Sequence, residues 1–184
     1  MTTHIVSAAP SGLSTTLIHV EVDRNRGLPK FTIVGLPDTA VQESKERVRA
    51  ALKNSGLPFP EGRVTVNLAP GHVRKIGPLF DVPIALGLVS VGKKVTVLPT
   101  QCFVGELSLD GRLGKVRGLL GMLLDLRNLG IEECFVPEGN RAEASLISGL
   151  RIYPCQYLND IIAHLTGENA LAATTPTALP ISAA

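Results

Sequence analysis

The 184-residue sequence contains no tryptophan, two tyrosines and five phenylalanines, so aromatic residues are only 4% of the chain. So few rings argue against a protein that reads unstacked bases by stacking them on a platform. Its three cysteines cannot all pair internally. Cys102 and Cys134 sit in apolar runs and Cys155 follows Tyr153-Pro154, with no CxxC and no Cys/His pair nearby. They read as small buried hydrophobes of a reduced cytoplasm rather than as reactive or metal-binding thiols. A long apolar run is missing as well. Val82 to Val91 is about half of what a spanning helix requires, and Pro83, Gly87 and Ser90 interrupt it. The start of the chain lacks the basic and apolar regions of a secretory signal. Charge is nearly balanced, 18 Lys and Arg against 16 Asp and Glu, which neither demands nor excludes an anionic partner.

What the sequence does have is apolar material, 45% of residues against 18% charged, enough for a single packed domain. Leu17 to Val22 alternates as a half-buried strand, and Phe31 to Val34 is a second one; the two are expected to pair as a hairpin with a long loop. A helix follows, capped by Asp38 or Thr39, with Thr39 to Gln42 at capping-box spacing. Val41, Val48, Ala51 and Leu52 mark its buried stripe, Glu43 and Arg47 an i,i+4 pair, and Gly56 its end. Arg63 to Leu68 is a strictly alternating strand. Asp81 is expected to cap a nearly all-apolar helix over 82–89, and 118–126 reads as another buried helix. Cys102 to Leu109 is expected as a strand, followed by a two-residue type I′ turn at Asp110-Gly111 and a return over Leu113 to Val116. Glu133 to Pro137, a short helix over Arg141 to Ser148, a strand over Arg151 to Tyr153 and a helix over Tyr157 to Leu165 complete the pattern. The class is α/β, or α+β in two layers: a mixed β-sheet with helices packed on it. Residues 1–167 form the domain, and 168–184, rich in Ala, Thr and Pro, read as a linker.

Chemistry is sparse. There is no GxxxxGK[ST], no GxGxxG and no GxSxG, and the four histidines, His4, His19, His72 and His164, are scattered. Lys75, Lys93, Lys94 and Lys115 read as solvated charges. The lead that remains is basic. Arg24, Arg26 and Lys30 share one loop, His72, Arg74 and Lys75 another, and Lys45, Arg47, Arg49 and Lys53 lie on the first helix. Composition favours solvated faces; phosphate contact is the alternative. The loop through Arg74-Lys75-Ile76-Gly77-Pro78 joins a strand to a buried helix, a usual place for functional residues.

Five stretches resemble the N-terminal domain of the ComM/YifB family, bacterial magnesium-chelatase-like AAA+ ATPases. They are Phe31-Thr32-Ile33-Val34-Gly35-Leu36-Pro37-Asp38, the run Glu43 to Ala51, Val64 to Pro70, Arg74-Lys75 and Phe80 to Leu86, in that order. The resemblance reaches to about Leu165. It implies a Lon-protease-like fold, shared with one domain of a ribosomal protein, and a parent that continues into an AAA+ module binding ATP and Mg. It further implies a homo-oligomeric, hexameric ring in the cytoplasm, with no membrane role. The family's activity is that of a DNA helicase promoting branch migration in natural transformation, that is, in competence and recombination.

Departures from the Lon pattern are specific. The position after Gly77-Pro78, where Lon-type proteases carry the nucleophilic serine, is Leu79. Aligning Gly130-Ile131 and Val136-Pro137 with the matching Lon strand puts Leu120 at the lysine position. Gly71-His72-Val73 replaces a small-acidic-apolar step of the family and Ile76 replaces an acidic residue, so this loop is more basic. The expectation is a segment with no catalytic, metal or cofactor residue of its own, aiding ring assembly or DNA contact. If the family's DNA role extends to this domain, the clustering of basic residues puts the contact at His72, Arg74 and Lys75, joined by Arg24, Arg26 and Lys30. The alternatives are a Lon-like serine protease domain and an interaction module recruiting recombination factors.

Overall fold

A computed structural model describes residues 2–92 and 95–177. Lys93 and Lys94 and the end of the expected linker, 178–184, lie outside the described residues. The order of elements is β1 (Thr2–Ser11), β2 (Ser14–Asn25), β3 (Lys30–Val34), α1 (Thr39–Asn54), β4 (Arg63–Ala69), α2 (Asp81–Ser90), β5 (Gln101–Phe103), β6 (Glu106–Leu107), β7 (Leu113–Gly114), α3 (Leu119–Leu126), β8 (Glu133–Pro137), α4 (Arg141–Ala144), β9 (Arg151–Cys155) and α5 (Leu158–Thr166). Seven strands form one mixed sheet in the order β3-β4-β2-β1-β5-β8-β9. β1 and β2 pair antiparallel, as do β2 and β4; the other four pairs are parallel.

The expected hairpin between the 17–22 and 31–34 runs is not formed. β2 pairs instead with β1, Ile5 facing Val20, and with β4, Val22 facing Val66, while β3 lies beyond β4 and parallel to it. The long loop after β2 lets the chain cross over β4's position, and β4 then enters between them. β1 itself carried no strand signal. Its residues Ile5 to Ala9 are buried in succession, because both faces of this strand are covered and no polar alternation results.

The apolar core divides by strand alternation. Ile5, Ala9, Val20, Val66, Phe103 and Phe135 face α1, α2 and α5, whose Val48, Leu86 and Ile161 belong to the same cluster. Val6, Ala8, Cys102, Cys134 and Ile152 face the other way, against Met122 and Leu123 of α3 and Ala144 of α4. Helices therefore pack on both faces around β1, β5 and β8. All ten residues of α2 are buried, as its composition demands. α3 is not: Leu119, Met122, Leu123 and Leu126 are buried while Leu124 is 61% exposed, so this helix is amphipathic.

Several local readings shift. Asp38 alone caps α1, its Oδ1 accepting from the Val41 amide at 2.8 Å. The Cys102–Leu109 run breaks at Val104-Gly105 into β5 and β6. The turn after β6 is not type I′, which needs two positive φ values; only Gly111 has one, +86°. There the Gly111 amide donates to the Ser108 carbonyl and the Ser108 amide to that of Arg112, a three-residue turn closed by a left-handed glycine. α4 ends at Ala144, short of Ser148. All three cysteines are free and buried. After α5 the chain runs back along the domain: the Leu171 amide donates to His164 Nδ1, Thr174 to the Ile152 carbonyl of β9 and Thr177 to that of Ser145. No helix among the described residues is long and apolar enough to cross a membrane.

Candidate nucleic-acid interface

β4 determines where the two basic loops stand. Its first residue, Arg63, faces Asn25 and Lys30, and its last, Ala69, faces His19. The 24–30 loop lies beyond the first end and the 70–77 loop beyond the other, about 20 Å of strand apart. The structure does not bring His72 and Arg74 together with Arg24, Arg26 and Lys30.

The 70–77 loop is locked against the start of α1. Lys75 donates its amide to the Leu36 carbonyl at 3.1 Å and accepts from the Asp38 amide at 3.0 Å. The Lys75 side chain is buried, and its ammonium donates to the Pro70 carbonyl, which also takes the Val73 amide. Burial pushes the Lys75 ammonium below its ordinary range. Lys75 is therefore an internal fastener and is withdrawn as a phosphate contact; it is not a solvated charge. His72 and Arg74 remain exposed, beside Leu36 and Ile76, which are 54% and 62% exposed.

At the other end, Arg24, Arg26 and Lys30 do converge. With Arg49, Phe59, Glu61 and neighbouring glycines and prolines they line an open groove of about 730 Å³. Arg24 Nε donates to the Glu61 carbonyl at 2.9 Å, which ties the end of β2 to the α1–β4 connection. The Arg49 guanidinium lies 4.6 Å from the centre of the Phe59 ring, whose edge contact with Phe31 is at 5.3 Å. Reading the sequence placed Arg49 on a solvated helix face; the signal for its role was the Lys45-Arg49-Lys53 spacing, which keeps all three on one face.

The start of α1 does not fit a bound phosphate. Asp38 already fills that position with its own carboxylate, Oδ1 on the Val41 amide and Oδ2 on the Gly77 amide at 3.0 Å. Asp81 does not cap α2. Its buried carboxylate accepts from Ser44 Oγ, from Arg47 and from the Leu107 amide, so Ser44 is engaged in packing two helices together. Leu79 and Leu120, the two positions that the sequence reading aligned with the Lon dyad, both pack against the apolar cluster beneath α3. Neither side chain has a hydroxyl or an amine with which to form or resolve an acyl-enzyme. No group of three His, Cys, Asp or Glu among the described residues is placed to hold a metal.

The family model described as subunit ChlI of Mg-chelatase matches residues 20–140. Competence protein ComM of Haemophilus influenzae is 37% identical over 173 residues, 93% of this chain and 34% of that protein. YifB of Escherichia coli, an uncharacterized protein, is 37% identical over 171 residues, 92% of this chain and 34% of its own length. A Lon protease of Mycolicibacterium smegmatis is 28% identical over 167 residues, 84% of this chain and 21% of the protease. The chain thus spans about a third of the length of its ComM and YifB relatives. A mixed α/β sheet with helices packed on it is consistent with this likeness to a Lon protease. By its match over residues 20–140 and its likeness to ComM and YifB along nearly all its length, this chain belongs to the magnesium-chelatase ChlI family, in its ComM- and YifB-like part.

Proposed function

We propose that the chain is a non-catalytic accessory domain of a magnesium-chelatase-like AAA+ ATPase of the ComM type, and that it serves the ring by contacting DNA or by aiding assembly. The observation that carries this reading is the 37% identity to a competence protein over 93% of the chain. Supporting it, the two positions that the sequence resemblance aligns with the Lon serine and lysine are Leu79 and Leu120, apolar side chains packed on the core. In this reading residues 1–167 are the domain and 168–184 lead toward an ATPase module that binds ATP and Mg. The parent is a cytoplasmic hexamer that migrates DNA branches in transformation. Asp38 occupying the start of α1 speaks for nucleotide binding elsewhere in the parent than here.

The test compares the full-length parent with a form lacking residues 1–167, measuring ATP hydrolysis, ring formation and branch migration. Hydrolysis retained with branch migration or ring formation lost is the expected result. Branch migration and assembly both unchanged would overturn the reading and favour a module that recruits recombination factors. Cleavage of unfolded protein blocked by a serine-directed inhibitor would favour the protease alternative.

A further inference from the structure

We propose that the groove between the β2–β3 loop and the α1–β4 connection binds a phosphodiester backbone, without regard to base sequence. This rests on the accessory-domain reading and names its ligand-bearing surface. Four cations, Arg24, Arg26, Lys30 and Arg49, line one groove of about 730 Å³, in a chain whose net charge is only +2. No carboxylate among the described residues forms an ion pair with Arg26, Lys30 or Arg49. Glu61 is the one acid in the lining, and its backbone carbonyl accepts from Arg24; four cations against one carboxylate leave the groove positive. Arg26, Lys30 and Arg49, cations along one cleft, form the arrangement that exchanges counterions with successive phosphates.

The remaining features choose among anions. The groove is open and draws its cations from separate elements, Arg24 from β2, Lys30 from β3 and Arg49 from α1, with Arg26 in the loop between, which suits successive phosphates better than a single one. Phe59, the one ring in the lining, already carries Arg49 over it and is edged by Phe31, so it is not a free platform for a base. The lining holds no Asn or Gln to pair with an adenine edge, and its polar side chains are the four cations and Glu61. Leu28 is 84% exposed at the loop tip, a lone apolar side chain rather than the broad apolar face that seats a protein on a lipid surface.

The probes are a fluorescent 20-mer of thymidine and a 20-base-pair duplex, titrated with the 184-residue chain at several salt concentrations. Vesicles containing anionic lipid form a separate arm. With three or four phosphates met, the logarithm of affinity for the single strand should fall against the logarithm of salt with a slope of about −2 to −3. The double variant R26E/K30E should lose at least about tenfold in affinity and flatten the slope by about 1 to 2, and R49Q should lose a smaller part. R74E, at the other end of β4, should stay within about twofold, and all variants should keep the wild-type circular dichroism. Absence of binding at low salt, equal affinity of R26E/K30E and wild type, or an equal loss in R74E would each overturn the proposal. So would binding to vesicles but not to either oligonucleotide. A parent that migrates branches normally with R26E/K30E in place overturns the groove alone; one that does so without residues 1–167 overturns the accessory-domain reading.

Discussion

Arg47 of α1 holds the wholly buried carboxylate of Asp81 at the start of α2 with a two-pronged grip, Nε to Oδ2 at 2.7 Å and a terminal nitrogen to Oδ1 at 3.1 Å. The same guanidinium reaches back to the Ala40 carbonyl at 2.9 Å and to Ser44 Oγ at 3.1 Å. The Asp81 carboxylate beside it holds the Arg47 guanidinium above its ordinary range. One pair thus joins two helices and, through the Leu107 amide, the β6 strand. Removing one partner strands a buried charge. R47A should therefore lower unfolding free energy by about 3 kcal/mol, measured by urea denaturation. Replacing Arg47 and Asp81 together by Met and Leu should recover most of that loss, since an apolar pair leaves no charge unpaired. A loss below about 1 kcal/mol in R47A would show that water screens the pair.

Lys75 carries a pH signature. Its burial lowers the ammonium's pKa from the ordinary 10.5 of the unfolded chain. Between the lowered value and 10.5 the unfolded chain binds more protons than the folded one. Wild-type stability from Lys75 therefore rises with pH across that window, and is at its lowest below it, where the buried amine is charged. K75M should lack this rise, so its curve of unfolding free energy against pH should diverge from that of wild type, from a smaller deficit at neutral pH to a larger one near pH 10. Parallel curves for the two proteins would mean the amine is solvated.

Gly35 is the tightest backbone contact next to the basic loop. Its φ is +100°, and a Cβ there would lie 2.2 Å from the Leu68 carbonyl oxygen. Both the conformation and the approach exclude a side chain, so G35A should cost at least about 2 kcal/mol and lower the melting temperature by several degrees. Retention of the wild-type melting temperature would show that β3 and β4 separate easily.

The 184-residue chain should neither cleave unfolded casein nor bind Mg-ATP at micromolar concentration. The first follows from Leu79 and Leu120, which supply no nucleophile or base. The second follows from Asp38, which already occupies the amides at the start of α1. Fluorogenic proteolysis and titration calorimetry read the two directly. Calorimetric heat that vanishes in D38A would place a nucleotide at this helix after all.

Elements with a one-sided environment were legible from residues alone. β4 alternates because α1 and α2 cover one of its faces, and α1 shows Val41, Val48, Ala51 and Leu52 as a stripe because its other face meets water. β8 was legible from its boundaries, Glu133 to Pro137. β1 was not, since a strand covered on both sides has no period to show. The partner of β2 was not legible either: a loop after β2 is compatible with a hairpin or with a strand inserted between, and only the match of Val22 to Val66 and Ile33 to Val66 decides for insertion.

The order of motifs in the amino-acid sequence by itself determined the family and the class of fold, because core patterning and turn chemistry are local. It also located the basic loops, for residue types are visible without geometry. Which cations work together was decided only in three dimensions. The length of β4, about 20 Å, sets the loop of Arg74 and the loop of Arg26 at opposite ends of one strand. The turn at Pro70 folds Lys75 inward onto a backbone carbonyl. The path from α1 to β4 brings Phe59, and with it Arg49, to a loop some thirty residues earlier in the chain. Charge acts through space, and the sequence records only distance along the chain.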